Sequence, residues 1–364
     1  GDSCQTAVFF LQCGGIVLSH SYSQVIAMPR SIAGIVLAAG KGTRMCSERA
    51  KVLHEVFFRP MVHHVLNAVL GTAVDRCAVI VGHQREAVGT ALTDYGVTLV
   101  VQEEQLGTGH AVLCAEEACA GADLVLILCA DTPLVRAETL QTMIDAHCKQ
   151  QATLTLMTTV IEEPFGYGRI LVDDQGAVQG IVEEKDATDD QRTIREINAG
   201  IYLAERDFLF TALRQVGTDN SQGEVYLTDI VVIANRQGAR VEKWCHPQAI
   251  DVLGVNSRVE LAEAHAVLQR RHNRSLMLAG VTFQAPETTL VAPDCTIGRD
   301  TILHGGVRIE GGAALGCDCC IQSNCVLRGC RLADGVTVGA NSVLCGGEFS
   351  AGTIVPPLTT RSAD

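Results

Sequence analysis

The sequence predicts an α/β protein with two successive architectures: a Rossmann-like domain with a mostly parallel sheet, then a linking helix and a short parallel β-helix. Two observations support this prediction. Between Ile32 and Gln248, short apolar runs alternate with amphipathic stretches, as in strands joined by helices. After Ala279 the helical pattern stops, and aliphatic residues recur every six positions.

In the first part, six apolar runs have the length and composition of buried strands, and four stretches between them have helical spacing. The strands are predicted within 32–38, 77–82, 97–102, 124–131, 152–160 and 199–204, and the helices at 61–70, 86–92, 109–117 and 137–149. This alternation predicts a mostly parallel sheet flanked by helices. Ligands of such sheets bind at the carboxyl ends of the strands.

The second part is defined by its period. The six-residue spacing links Val291, Ile297, Leu303, Ile309, Leu315, Ile321 and Leu327, and after one five-residue step it continues at Leu332, Val338 and Leu344. This repeat is typical of a hexapeptide β-helix, whereas an ordinary antiparallel β-domain would show period two and longer loops. We expect about three turns, because the pattern fades over 355–364.

The polar amphipathic stretch 258–274 predicts the linking helix between the two parts. We therefore expect an N-terminal extension outside the fold at 1–31, the Rossmann-like domain at 32–256, the linker helix at 257–278 and the β-helix at 279–364. The apolar segment 9–18 is too short to span a membrane and has no basic run before it. An upstream tail without function, with Met28 as a plausible start, is favoured over a signal peptide.

The composition limits the function classes. The net charge is −13, from 28 Lys and Arg against 41 Asp and Glu, which argues against a surface that binds nucleic acid. An anionic substrate would then be held by a few cations and a metal. The 16 cysteines are scattered without a small-domain framework, so we interpret them as thiols of a cytoplasmic protein.

The stretch VLAAGKGTRM, from 36 to 45, follows the first predicted strand. It lacks the third glycine of the dinucleotide fingerprint, because Met45 stands there. It also lacks the Ser or Thr that follows Lys in a Walker A loop, because Gly42 follows Lys41. It predicts a third kind of phosphate loop, with Arg44 and Lys51 supplying positive charge.

Two further motifs in this part could carry chemistry. Asp131 follows a buried strand, where a carboxylate is expected to bind a metal such as Mg²⁺ or to cap a turn or helix. The stretch QEEQLGTGHA opens a helix where Gly107 would let the backbone approach a base or ribose closely. Thr108 could instead cap that helix, and we expect His110 to be packed rather than catalytic.

Together these pieces resemble the bacterial bifunctional N-acetylglucosamine-1-phosphate uridyltransferase / glucosamine-1-phosphate acetyltransferase family. The matching stretches are LAAGKGTRM, AKVLH, QEEQLGTGHA, ADTPL, GYGRI, IVEEKDAT, EINAGIY, QGEVYLTDIV and GVNSR. The resemblance implies a nucleotidyltransferase domain, a left-handed parallel β-helix and a cytoplasmic enzyme of cell-wall and lipopolysaccharide precursor synthesis. It also implies assembly as a homotrimer through the β-helix, and no nucleic-acid or membrane partner.

The resemblance also implies site residues. UTP would be held by Leu37, Ala38, Ala39, Gly40, Gln102, Gly107 and Thr108. Phosphates would be bound by the catalytic cations Arg44 and Lys51, and Mg²⁺ by Asp131 and Asn256. The sugar phosphate would be held by Gly168, Glu183 and Asn198. Each has an ordinary alternative: Asn198 and Asn256 as turn residues, Glu183 as a surface carboxylate and Lys51 as a solvated side chain.

Two departures from the family pattern lead to separate expectations. Ala130 stands where the family has glycine before the metal-binding Asp, so it could strain the site if the position needs a positive φ. The sequence has no His after His304, so we expect no complete acetyltransferase site in this chain.

Among the cysteines, we expect those of GCDCC (316–320), Cys325 and Cys330 to pack in the β-helix rather than bind zinc. Cys46, beside Arg44, is the more plausible reactive thiol.

Besides the uridyltransferase, two other functions stay open on the sequence alone. One is another sugar-1-phosphate nucleotidyltransferase with a different base or sugar. The other is a non-catalytic β-helix subunit that binds sugar nucleotides.

Overall fold

The computed structural model describes residues 30–362, and the chain from Ser31 onward forms one compact unit. The expectations for the apolar segment 9–18 and for Met28 lie outside the described residues. Within the described part, no helix combines the length and the apolar character needed to cross a bilayer.

The first part contains eight α-helices, five short 3-10 helices and eleven strands among the described residues. The α-helices are α1 (Met61–Leu70), α2 (Arg85–Ala91), α3 (Thr108–Cys114), α4 (Ala137–Gln150), α5 (Asp189–Arg192), α6 (Arg206–Leu213), α7 (Ile230–Arg236) and α8 (Arg258–Leu278). The strands are β1 (Ile32–Leu37), β2 (Glu55–Val56), β3 (Arg59–Pro60), β4 (Arg76–Val81), β5 (Thr98–Val101), β6 (Leu124–Cys129), β7 (Leu154–Val160), β8 (Arg169–Val172), β9 (Val178–Val182), β10 (Glu196–Glu205) and β11 (Val241–Cys245).

The main sheet has the order β11-β7-β10-β6-β1-β4-β5, and all its neighbours are parallel except at β10. Strand β10 runs antiparallel to both β6 and β7, and the β8–β9 hairpin joins its edge. The predicted strand 199–204 therefore exists, but it is the antiparallel member of the sheet. The parallel pairings confirm the prediction of a mostly parallel sheet. Strands β1 and β6 are buried along almost their whole length, and for this reason they appear in the sequence as continuous apolar runs.

The second part is a parallel β-helix with fourteen short strands from β12 to β25. They are β12 (Thr282–Phe283), β13 (Leu290–Val291), β14 (Thr296–Ile297), β15 (Ile302–Leu303), β16 (Arg308–Glu310), β17 (Ala314–Leu315), β18 (Cys320–Ile321), β19 (Val326–Arg328), β20 (Arg331–Leu332), β21 (Thr337–Val338), β22 (Val343–Cys345), β23 (Glu348–Phe349), β24 (Ile354–Val355) and β25 (Thr360–Arg361). The predicted fold class, a Rossmann-like domain followed by a left-handed β-helix, is confirmed.

The strands form three parallel stacks. Paired residues lie 18 positions apart, as in Ile302 and Cys320, or 17 positions apart, as in Ala314 and Arg331, in every pairing except that of β12 with β15. One coil therefore holds three hexapeptides. The predicted aliphatic positions face the core, where all but Ile297 are buried. Corner residues adopt a positive φ, which Asp and Asn tolerate better than most residues; examples are Asp300, Asp318, Asn324 and Asn341.

The β-helix is longer than the expected three turns. Two stacks are five strands high and the third is four strands high. The expectation that the pattern fades after 355 was wrong, because β24 and β25 pair with the preceding coil. A second five-residue step, from Leu344 to Phe349, interrupts a strict six-residue count without interrupting the stacking.

Helix α8 connects the sheet to the β-helix through buried polar side chains. Its capping box pairs Ser257 with Glu260. On one side, the guanidinium of Arg271 binds the carboxylate of Asp251, which is only 2% exposed. On the other side, the Asn273 amide donates to the Thr289 carbonyl at 2.8 Å. The helix thus holds the two parts together by satisfying buried polar groups on both sides.

Candidate functional site

A pocket of about 400 Å³ opens where the chain leaves strands β1 and β6. It lies at the carboxyl ends of parallel strands, where ligands of open α/β sheets bind. The structure brings most of the predicted site residues to its walls. They are Leu37, Ala38, Ala39, Gly40, Arg44, Lys51, Gln102, Gly107, Thr108, Asp131 and Asn256.

The loop after β1 forms one wall and shows two different uses of glycine. Gly42 has φ +60°, and a Cβ there would lie 2.5 Å from Lys51 Cβ, so a side chain would be both strained and obstructed. A Cβ on Gly40 would meet nothing within 4 Å. Gly40 thus leaves open space in the pocket, and Gly42 lets Lys51 pack against the loop.

A cluster of charged and polar side chains lies beside this loop. Lys51 Nζ donates to Asp131 Oδ2 at 2.5 Å and to Asn256 Oδ1 at 2.7 Å. Arg44 Nη2 donates to the same Asn256 oxygen at 2.8 Å. The Lys51 side chain is only 12% exposed, so the alternative of a solvated lysine is wrong. Two oxygen atoms from distant parts of the chain therefore converge on one positive charge.

The position of Asn256 depends on the start of α8. The Glu260 carboxylate accepts hydrogen bonds from the backbone N–H groups of Asn256 and Ser257. The Val255 N–H donates to the Asp131 carbonyl at 2.7 Å, which joins this segment to the end of β6. Asn256 is therefore more than a turn residue, because the helix cap directs its side chain into the cluster.

The start of helix α3 forms the opposite wall. Gly107 has φ +110°, and a Cβ there would lie 2.5 Å from the Val225 carbonyl oxygen. Only glycine fits this position. The helix begins at Thr108, but the Thr108 hydroxyl accepts the Leu227 N–H at 3.1 Å and does not cap the helix. The alternative of Thr108 as a helix cap is thus wrong, because its side chain joins α3 to the segment after residue 225.

Three predicted residues, Gly168, Glu183 and Asn198, do not line this pocket but form a second group beside it. The Asn198 N–H donates to the Gly168 carbonyl at 2.9 Å, and a Cβ on Gly168 would lie 3.6 Å from both Glu183 carboxylate oxygens. Thr228 donates to Glu183 Oε1 at 3.1 Å. Burial raises the pKa of the Glu183 carboxyl, so Glu183 is not a simple surface carboxylate.

Cys129 links the two groups. It lines the pocket, and its Sγ would lie 3.5 Å from a Cβ placed on Gly200, next to the Asn198 bulge in β10. Burial raises the pKa of the Cys129 thiol to about 12, and the nearby carboxylate of Asp131 adds to this effect. The thiol is therefore neutral at physiological pH and acts as a packed wall between the two groups.

The sequence did not single out several residues of the site. Gln105, Cys129 and Glu224 also line the pocket. Gln105 and Glu224 belong to matched stretches, so the motifs contained them without indicating their roles. Ala130 is fully buried and does not adopt a positive φ, so the expected strain at this position is absent.

The remaining cysteines are free throughout the described part of the chain. Cys295, Cys319, Cys325 and Cys330 lie in the core of the β-helix. Within residues 30–362, no three His, Cys, Asp or Glu side chains are grouped to hold a metal. Cys46 is exposed, and its sulfur lies 3.9 Å from the Arg44 carbonyl oxygen; its reactivity stays a prediction.

A family model described as the MobA-like NTP transferase domain matches residues 34–194. The bifunctional protein GlmU of Desulfotalea psychrophila is 49% identical over 326 residues, which cover 89% of this chain and 96% of that protein. The bifunctional protein GlmU of Syntrophotalea carbinolica is 46% identical over 316 residues, covering 86% of this chain and 68% of that protein.

Two solved structures share the fold at 18% identity. A UDP-glucose pyrophosphorylase complexed with UDP-glucose matches 66% of this chain and 99% of its own, with a TM-score of 0.53. A putative glucose-1-phosphate thymidylyltransferase from Bacillus anthracis matches 65% of this chain and 95% of its own, with a TM-score of 0.54. The identity with the two GlmU proteins confirms the resemblance found in the motifs. The chain therefore belongs to the GlmU family of bifunctional proteins, and it is a nucleotidyltransferase.

Proposed function

We propose that the protein transfers the uridylyl group of UTP to N-acetyl-α-D-glucosamine 1-phosphate, giving UDP-N-acetylglucosamine and pyrophosphate. The observation that carries this proposal is the cluster of Arg44, Lys51, Asp131 and Asn256 at the wall of the pocket. It combines two cations with two oxygen ligands beside a glycine-containing loop, which suits the phosphates of a nucleotide.

The reaction needs no protein nucleophile. A phosphate oxygen of the sugar phosphate attacks the α-phosphorus of UTP in line, the bond to the β-phosphate breaks, and pyrophosphate leaves. The role we propose for Arg44 and Lys51 is to orient the phosphates and to stabilise the negative charge that develops on them. The low exposure of Lys51 strengthens its contribution, because water screens its charge less than at an open surface, whereas Arg44 acts from the exposed rim.

A divalent metal is general in nucleotidyltransferases, and we propose Mg²⁺ at Asp131 and Asn256. The fit is supported by the way both side-chain oxygens converge on the Lys51 ammonium, which occupies a place suited to a cation. Two protein ligands are enough, since Mg²⁺ commonly takes one or two protein ligands and completes its shell with phosphate oxygens and water. When bound, the metal neutralises phosphate charge. Lys51 would then exchange these two oxygens for a phosphate oxygen.

For the sugar phosphate we propose the second group, Gly168, Glu183 and Asn198. Glu183 and Asn198 offer polar atoms that could receive sugar hydroxyl and amide groups. A Cβ on Gly168 would lie 2.8 Å from Ile181 Cγ2, so a side chain at this position would be obstructed by Ile181. Cys129 lines the nucleotide pocket and lies close to Gly200, two residues after Asn198.

The decisive experiment measures pyrophosphate release from UTP and N-acetylglucosamine 1-phosphate, with added Mg²⁺ and with a chelator. We expect Mg²⁺-dependent release that Asp131→Ala abolishes and that Asp190→Ala, in the exposed helix α5, leaves unchanged. Replacement of UTP by dTTP, ATP, GTP or CTP tests whether the enzyme is another sugar-1-phosphate nucleotidyltransferase. Folded protein that binds UTP but releases no pyrophosphate would contradict the catalytic proposal.

Three further expectations remain proposals. The first is the division into 32–256, 257–278 and 279–364, which limited proteolysis would test through the positions of the first cleavages. The second is assembly as a homotrimer through the β-helix, which sedimentation would test. The third is a cytoplasmic location.

A further inference from the structure

We propose that His110 is a positioning residue that fixes the amide of Gln102, and that it thereby strengthens the preference of this already assigned base contact for uracil over cytosine. The inference rests on the proposed function, since it concerns the nucleotide in the same pocket. It extends that function, because it gives a role in base selection to a histidine that contacts Gln102 at the wall of the pocket.

The Gln102 side chain lies at the pocket wall and is almost fully buried, with 4% exposure. Its Nε2 lies 3.1 Å from the Gly107 carbonyl oxygen and 3.1 Å from His110 Nδ1. The Gly107 carbonyl can only accept a hydrogen bond, so the amide atom that faces it must be the nitrogen. The orientation of the Gln102 amide follows from this partner.

The same logic fixes the tautomer of His110. The Gln102 nitrogen carries two hydrogens, one for Gly107 and one for His110, so Nδ1 must offer a lone pair. The imidazole proton then sits on Nε2, which lies 3.9 Å from Cys114 Sγ. Because His110 and Cys114 are four residues apart on α3, the helix itself holds the ring between the amide and the sulfur.

With both N–H groups engaged, the Gln102 Oε1 is the amide atom left for a ligand. No donor among residues 30–362 forms a hydrogen bond with Oε1. Uracil carries an N–H at N3 and can donate to this oxygen. Cytosine instead has a lone pair at N3, which is repelled by the lone pairs of the Gln102 oxygen. Thymine shares the donor, so the amide separates uracil and thymine from cytosine and does not separate the first two.

His110 is needed because the Gly107 carbonyl engages only one of the two amide hydrogens. Without the imidazole, the second hydrogen loses its partner, and the Gly107 carbonyl alone holds the amide orientation. The rotated amide, which presents an N–H to the base, is then disfavoured by one hydrogen bond less. One net hydrogen bond corresponds to about a three- to ten-fold preference. We therefore expect removal of His110 to reduce the preference for UTP over CTP by about this factor.

The test compares His110→Phe, which removes the acceptor, with His110→Asn, whose side-chain oxygen can take the place of Nδ1. His63→Phe is the matched control, because His63 Nε2 contacts the Ala91 carbonyl on another face of the protein. Calorimetry measures Kd for UTP and CTP, and initial rates give kcat/KM for both. We expect His110→Phe to lower the UTP/CTP ratio, His110→Asn to restore it, and His63→Phe to leave it unchanged. If His110→Phe does not fold, His110→Ala takes its place.

An unchanged ratio in His110→Phe, or equal ratios in the Phe and Asn variants, would overturn the inference. The calorimetric readout separates it from the proposed function. If the wild-type protein prefers UTP in binding but releases no pyrophosphate, the proposed function fails while base selection can still be tested. If it turns over UTP and the ratio does not respond to substitution of His110, only this inference fails.

Discussion

At the scale of single residues, Arg44 and Arg49 give a matched pair for the phosphate-binding hypothesis. Arg44 lies in the charged cluster, whereas Arg49 only approaches Glu55 at 4.0 Å on the exposed surface. We expect Arg44→Ala to raise KM for UTP about ten-fold or more, because a charge-assisted contact to phosphate is lost. Arg49→Ala should change KM by less than about two-fold, since exposed ion pairs contribute little. Steady-state kinetics with similar KM values for both variants would contradict the role of Arg44.

Gly107 is the second residue whose role can be tested against a matched position. Gly121 also has a positive φ, but a Cβ there would meet nothing within 4 Å, whereas at Gly107 it would lie 2.5 Å from the Val225 carbonyl. Both alanine variants carry the backbone strain of about 1–2 kcal/mol, and only Gly107→Ala adds the clash. We expect Gly107→Ala to be the less stable variant in urea unfolding and to bind UTP more weakly. Equal stability of the two variants would argue against the clash.

At the scale of an element, the buried thiols of the β-helix core should make the free energy of unfolding depend on pH in the alkaline range. Burial raises the pKa of the Cys295 and Cys330 thiols to about 11, against about 9 for an exposed thiol. Between these values the unfolded chain has lost protons that the folded chain keeps, so the free energy of unfolding falls as the pH rises from about 9 to about 11.

The expected measurement is a set of urea unfolding curves across this pH range. The double variant Cys295→Ala, Cys330→Ala should weaken the dependence on pH, even if it lowers stability at every pH by leaving small cavities. Cys148→Ala serves as the control, because Cys148 is exposed. A pH dependence that is the same in the double variant and in the wild-type protein would show that other groups cause it.

At the scale of the whole molecule, helix α8 couples the sheet to the β-helix. The buried Asn273 amide donates to the Pro286 and Thr289 carbonyls at 2.7 and 2.8 Å. Asn273→Ala leaves both carbonyls without this donor, so we expect a loss of about 1–3 kcal/mol and a split of thermal unfolding into two transitions. Arg274→Ala, at the exposed neighbouring position, should leave a single transition. Calorimetric scans of the two variants check this, and one unchanged transition in Asn273→Ala would mean that other contacts couple the parts.

The sequence alone determined the elements and most of the pocket. Strands such as β1 and β6 are buried on both faces, so the apolar runs alone located them, and the six-residue period placed most of the β-helix core residues. The resemblance carried by the motifs also implied the residues that meet at the nucleotide pocket. These features depend on local patterns, which a sequence carries directly.

How distant segments meet depended on tertiary packing. The direction of β10, the two separate groups of site residues and the shared use of the Asn256 oxygen by Arg44 and Lys51 all join positions far apart in the chain. The hydrogen bond of Thr108 to Leu227 and the fully buried, unstrained Ala130 were likewise set by neighbours that no local pattern contains. The physical reason is that hydrogen-bond partners, burial and φ depend on what packs against a residue, and packing is settled only when the whole chain folds.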